Sequence, residues 1–206
     1  NTRAGLQFFG DIKNADLDNS GTAAHAEGSG SIASGSYSHT EGQGTFALGR
    51  ASHAEGFKTD AIGLFSHAEG SETIAKGLES HAEGDQTVAH GSSSHAQGTA
   101  TIASGSASHA EGRSTIAYGN TSHAQNNSTI ALGDNSHAQG SGTIASGSQS
   151  HAEGLNTVSR GNQSHAGGEG TISNGIGSRA IGQQTITSGS YSHAEGDTTI
   201  TSGSYS

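Results

Sequence analysis

The 206-residue chain has no cysteine, proline, methionine or tryptophan, and only five phenylalanines and four tyrosines. Hydrophobic residues make up 29% of it, much of that alanine, so the bulky side chains that fill an ordinary domain core are missing. The lack of cysteine rules out a disulfide framework and fits an extracellular fibre as well as any other setting. Basic residues are also few: eight against eighteen acidic ones, for a net charge of −10. With no basic patch, a nucleic-acid or other polyanion partner is excluded. No secretory signal and no apolar run of membrane-spanning length occurs, so this segment is not expected to insert into a membrane.

What the chain does have is a period. From His25 to His193 every fourteenth residue is histidine, except Arg179, in the phrase S-H-A-E-G followed by T-I-A-S-G. Counting histidine as position zero, serine precedes it in 12 of 13 turns and glycine stands three places on in 12 of 13, broken only by Asn126. A second glycine column runs without a break from Gly35 and Gly49 to Gly203. The two columns hold 25 of the 34 glycines, which makes the glycine punctuation and not the mark of a disordered linker. A fixed short period means stacked units, none of which buries a core alone.

Residues two apart in a strand share a face. Ser, Ala and Gly fall together in S-H-A-E-G, and Thr, Ala and Gly in T-I-A-S-G, so both strands are expected to turn their small residues inward, with a glycine bend after each. The expected architecture is all-β: a thin β-solenoid with two short strands per turn and about 13 turns over residues 22–206, preceded by a cap or connector over 1–21 that holds the apolar cluster Leu6, Phe8 and Phe9. Two glycines per turn, each costing a helix roughly 1 kcal/mol, argue against a helical repeat. The start at Asn1 and the stop at Ser206, partway through a repeat, are those expected of a fragment whose signal or anchor would lie outside it. So small a core is marginal alone, and association is expected to supply the missing burial.

Two outward columns carry the rest of the information. One is apolar: Ile32, Phe46, Ile74, Val88, Ile102, Ile116, Ile130, Ile144, Val158, Ile172, Ile186 and Ile200, interrupted by Asp60. A soluble monomer rarely leaves such a stripe exposed. Ile74, Val88, Ile102, Ile116, Ile130, Ile144, Val158, Ile172 and Ile186 are therefore candidate contacts on a common trimer axis, each worth roughly 1.5–3 kcal/mol if buried. The position two beyond, occupied by Ser34, Leu48, Lys76, His90, Tyr118, Arg160 and Asn174 among others, varies as a water-facing site does.

S-x-A-x-G alternating with T-I-A-x-G, with S-R-A-I-G at Ser178–Gly182 and T-I-A-L-G at Thr129–Gly133, resembles the head repeats of YadA-like trimeric autotransporter adhesins over nearly the whole chain from about residue 22. The S-H-A-E-G variant is also similar to repeats of phage and prophage tail-fibre proteins. The resemblance implies a left-handed parallel β-roll, a homotrimer, and a module that projects from a cell surface or virion to meet a host-surface or matrix receptor. His and Glu stand where the adhesin repeats often carry apolar residues.

The second outward column is that polar one: His25 and Glu27, His39 and Glu41, His53 and Glu55, His67 and Glu69, His81 and Glu83, His109 and Glu111, His151 and Glu153, His193 and Glu195. Gln97, Gln125 and Gln139 replace the glutamate in three turns, Gly167 and Ile181 in two. Three readings stay open. The column is a solvated cross-strand ladder, a polar trimer axis whose protonation decides assembly, or a set of metal ligands. As metal ligands, His and Glu are suitable types, although a flat ladder offers pairs without closing a cage. Separately, Asp16, Asp18, Ser20 and Glu27 have the spacing of a calcium loop, with Gly21 at its sixth place. No helix-forming sequence flanks them, and Glu27 already belongs to the column. Protonation of all thirteen histidines would take the net charge from −10 to +3, so a response between about pH 5 and 7 is expected.

Ser, His and Glu recur along the whole repeat, which is the argument against an enzyme, because catalysis needs one constellation in one pocket. The serine before each histidine points to the opposite strand face and cannot pair with it as a nucleophile. The reading is a structural and adhesive module of an extracellular trimeric fibre. The alternative is a solitary β-solenoid with a flat repetitive face that binds ice or metal.

Overall fold

The structure, a computed structural model, describes residues 20–206. The expected cap or connector, 1–21, lies outside the described residues but for its last two, as do Leu6, Phe8 and Phe9. Each turn holds a five-residue strand and a two-residue strand: β1 (His25–Ser29) and β2 (Ile32–Ala33), then β3 (His39–Gln43) and β4 (Phe46–Ala47), and so on to His193–Asp197 and Ile200–Thr201. The long strands form one 13-stranded parallel sheet and the short strands another. Pairing advances by one repeat without slippage, so His53 sits on His67, Ala54 on Ala68 and Glu55 on Glu69.

The inward set is as small as the sequence predicts. Ala54, Ala61, Ala68 and Ala75 are wholly buried between the sheets, and the largest fully buried side chains are threonines. No leucine-sized group holds this core together. Its cohesion comes from the backbone ladders and from corner hydrogen bonds, which repeat turn by turn and couple nearest neighbours as in other repeat folds.

Those corners explain the invariant serine. Ser52 Oγ donates to the Gly49 carbonyl at 2.7 Å, Ser66 to Gly63 at 2.7 Å and Ser94 to Gly91 at 2.7 Å. The Ser52 amide reaches the same Gly49 oxygen at 3.2 Å. At most bends one buried hydroxyl thus satisfies a carbonyl that water cannot reach, whereas the hydroxyls of Ser108, Ser136 and Ser150 are buried without a partner.

The glycines act differently from the expectation. Gly56, placed by alternation among the inward residues, is exposed at the edge of its strand with φ of +111°, and a Cβ there would run into the Gly70 carbonyl oxygen. Gly63 is buried with an ordinary φ; a Cβ would strike the Gly77 carbonyl. The second column is therefore glycine because successive corners nest backbone on backbone. Besides the Gly56 column, left-handed backbone falls at two further places per turn, mostly on residues other than glycine: Lys58 at φ 52° and Phe65 at 58°, Glu72 at 54° and Glu79 at 56°. Each such residue costs roughly 1–2 kcal/mol of strain. The cost is offset because its amide joins the ladder: Lys58 donates to the Gln43 carbonyl at 2.8 Å, and Phe65 to Arg50 at 2.9 Å.

Replacing Ser94 by alanine should lower stability by about 1 kcal/mol, the net worth of one buried hydrogen bond. Gly91→Ala at the same corner should cost more, since its Cβ meets the Gly105 backbone and not a flexible side chain. Chemical denaturation followed by circular dichroism ranks the two, and equal losses would contradict the nesting account.

Candidate functional site

The long-strand sheet carries histidine and glutamate on its outer face because both alternate with buried Ser and Ala. In-register stacking places every imidazole on its counterpart. From His25 to His165 the rings form an unbroken column of stacked pairs, with centroids 4.8–5.1 Å apart, ended by Arg179. The stack includes His95, His123, His137 and His165, which a pairing of His with Glu passes over because their turns carry Gln or Gly. The signal that finds them is the period itself.

Stacking changes the chemistry of the rings. The outer nitrogens Nε2 of His53, His67, His81, His95, His109 and His123 are covered and lack a hydrogen-bond partner. Glutamates stand near but not in contact: Nε2 of His53 lies 3.6 Å from Glu55, His67 3.9 Å from Glu69 and His81 3.6 Å from Glu69. His165 alone closes a hydrogen bond, Nε2 to Glu153 Oε1 at 3.1 Å. His25 and His193, in the first and last described turns, are exposed.

Burial, reinforced by the imidazoles above and below, depresses the basicity of the inner rings. His95 is lowered to about 4, by burial first and then by His81 and His109, with Glu111 and Glu69 opposing. His39, His67, His123, His137 and His151 are lowered for the same leading reason. At neutral pH these rings are uncharged, and the carboxylates beside them carry the charge of the face.

The apolar column is equally continuous. Ile74, Val88, Ile102, Ile116, Ile130, Ile144, Val158, Ile172 and Ile186 stack through paired short strands and are half-buried by one another. Ile200, which ends the stack, is 66% exposed. Asp60 occupies the column without breaking the pairing on either side. Burial pushes its carboxyl above the usual range, with Lys76 opposing. The position two beyond is water-facing, as at Leu48 and Tyr118. The threonines of the repeat column from Thr45 to Thr185 are buried, so no outward threonine array exists on the described turns to match an ice lattice.

Asp16 and Asp18 of the calcium-loop spacing lie outside the described residues. Ser20 is exposed, and Glu27 is in the polar column, 3.3 Å from His25 Nε2.

The YadA head domain repeat matches residues 96–122, 110–136, 124–150 and 138–164. Residues 96–164 are thus similar to YadA head repeats. The matching windows each span two copies and advance by one turn, the step at which the strands stack. The YadA-like turns do not differ in strand pattern from those before and after them, which keep the same pairing. No curated protein matches the chain.

Because these histidines are less basic folded than unfolded, the unfolded chain binds more protons below about pH 6.5, and stability must fall with pH in that range. The loss should grow from about pH 6.5 down to about 4, where His95 itself titrates. Thermal melts across this interval should show a falling Tm, with a shallower fall in His95→Gln. A flat profile would contradict the neutral stack.

Proposed function

We propose that this chain is a structural and adhesive module of an extracellular homotrimeric fibre, a surface adhesin head or a phage tail fibre, that projects and presents a repetitive binding surface. The observation that carries the reading is the apolar column. Its side chains cover one another along the roll but, among the described residues, are only half-buried, and a stripe of this length calls for a partner surface. Covering what remains exposed contributes on the order of 1 kcal/mol per residue, which over nine positions from Ile74 to Ile186 is enough to hold chains together.

In this reading the roll is left-handed and three copies turn Ile74, Val88, Ile102, Ile116, Ile130, Ile144, Val158, Ile172 and Ile186 toward a common axis. The His/Glu face is then left to solvent, and with the variable corner residues it forms the surface open to a host or matrix receptor. The YadA-like head repeats at 96–164 support the trimer and the cell-surface or virion setting. A core with nothing larger than threonine supports it independently, since such a core gains from association. The chain performs no chemistry of its own, and its residues act by repetition instead of by convergence in a pocket.

Light scattering after gel filtration should give about three times the 20.4 kDa chain mass. Ile102→Asp with Ile116→Asp should reduce that to one chain while leaving the strand signal in circular dichroism, because Asp60 already shows that the roll accepts a carboxylate in this column. A monomeric parent protein would overturn the proposal. A trimer indifferent to the double substitution would move the axis to the His/Glu face.

A further inference from the structure

The polar face holds four groups in which three ligand atoms come together: His25, Glu27 and His39; His53, Glu55 and His67; His81, Glu83 and His95; His109, Glu111 and His123. Within each, one nitrogen from each histidine and one carboxylate oxygen lie within 4.8 Å of one another. The sequence suggests a flat ladder of ligand pairs; stacking instead adds the histidine of the next turn and makes each pair a triad.

Several features of these groups fit a cation. The outer nitrogens of His53, His67, His81, His95, His109 and His123 are without a partner in the fold. The carboxylates stand off at distances too long for a hydrogen bond yet short enough to share an ion: 3.8 Å from His81 to Glu83, 4.0 Å from His109 to Glu111 and 3.7 Å from His123 to Glu111. A shallow groove runs past Glu55, Glu69 and Glu83, where Gly70 and Gly84 leave no side chains, and gives an ion access to the carboxylates.

We infer that this face binds divalent transition-metal ions of the zinc class, one ion for every two turns, through two stacked histidines and the glutamate between them. Two imidazoles and one carboxylate are a donor set zinc accepts with a fourth place left for water or an external ligand. Calcium and magnesium require oxygen ligands throughout and are not matched. The spacing also sets the frequency. With metal–nitrogen distances of about 2.1 Å, two nitrogens on one ion are at most about 4.2 Å apart, so neighbouring rings must lean together. A ring that leans toward one neighbour leaves the other, and the histidines pair off two by two.

The series stops where its ligands stop. Gln125 and Gln139 replace the carboxylate, Glu153 is held by His165, and Arg179 and Ile181 interrupt the polar column before His193 and Glu195. Each donor set comes from one chain, so the inference holds for a monomer and for a trimer alike.

The test is calorimetric titration of the intact chain with zinc at neutral pH in a non-coordinating buffer, with cobalt absorbance as a second readout. The expected result is about four ions per chain, one for each group, and visible cobalt bands typical of low coordination number. The double variant Glu83→Gln, His95→Gln should lose about a quarter of the bound metal. It should still fold, because Gln97 already replaces Glu and Arg179 replaces His in paired strands. The absence of heat and of cobalt bands at submillimolar metal would overturn the inference. So would a stoichiometry unchanged in the double variant, or calcium bound as tightly as zinc.

Discussion

Parallel, in-register stacking of identical turns is the constraint from which the rest of this molecule follows. Strands about 4.8 Å apart bring each residue onto its own counterpart, so a side chain is accepted in a column only if it can lie against a copy of itself. Alanine and threonine do so inside the roll. Glycine does so at the corners, where the Gly63 and Gly77 backbones approach too closely for a Cβ. Isoleucine does so outside, each residue shielding the next until Ile200 is left without a cover.

For histidine the same rule carries an electrostatic consequence. Imidazoles spaced at the strand separation can remain neutral with little penalty, but charging one of them places it beside others that would also charge. The glutamates on the same face favour the cation and are outweighed for His95 by burial and by His81 and His109. The result is a face of uncharged nitrogen donors flanked by carboxylates, a combination that an isolated surface His–Glu pair would not maintain. It thins along the roll as Gln125, Gln139, Gly167, Arg179 and Ile181 enter the column after Glu111, so the two ends of the rod differ although their backbones match.

Much of the fold was legible because the repeat is self-consistent. Alternation within S-H-A-E-G assigned Ala54 and Ser52 inward and His53 and Glu55 outward, and burial agrees. The corners were not legible. Lys58, Phe65, Glu72 and Glu79 adopt left-handed backbone although nothing in their side chains favours it, since the ladder joining consecutive turns imposes the conformation and local propensity does not. Gly56 was misplaced for a related reason: alternation ceases at the fourth of the five strand residues, where φ is already +111°. On the polar face the residue types were legible, whereas the stacked rings and their covered nitrogens were not, because the surface of an imidazole is decided by the turn above and the turn below.

The sequence by itself determined the period, the two sheets, the inward alanines and threonines and the presence of one apolar and one polar column, because a fourteen-residue repeat of small and alternating residues admits few ways to stack. Only the tertiary structure decided why the glycines are glycine, which residues carry the bends, and that histidines from neighbouring turns meet around one carboxylate. These depend on distances between atoms fourteen residues apart in the chain, and such distances exist only once the turns have been laid on one another.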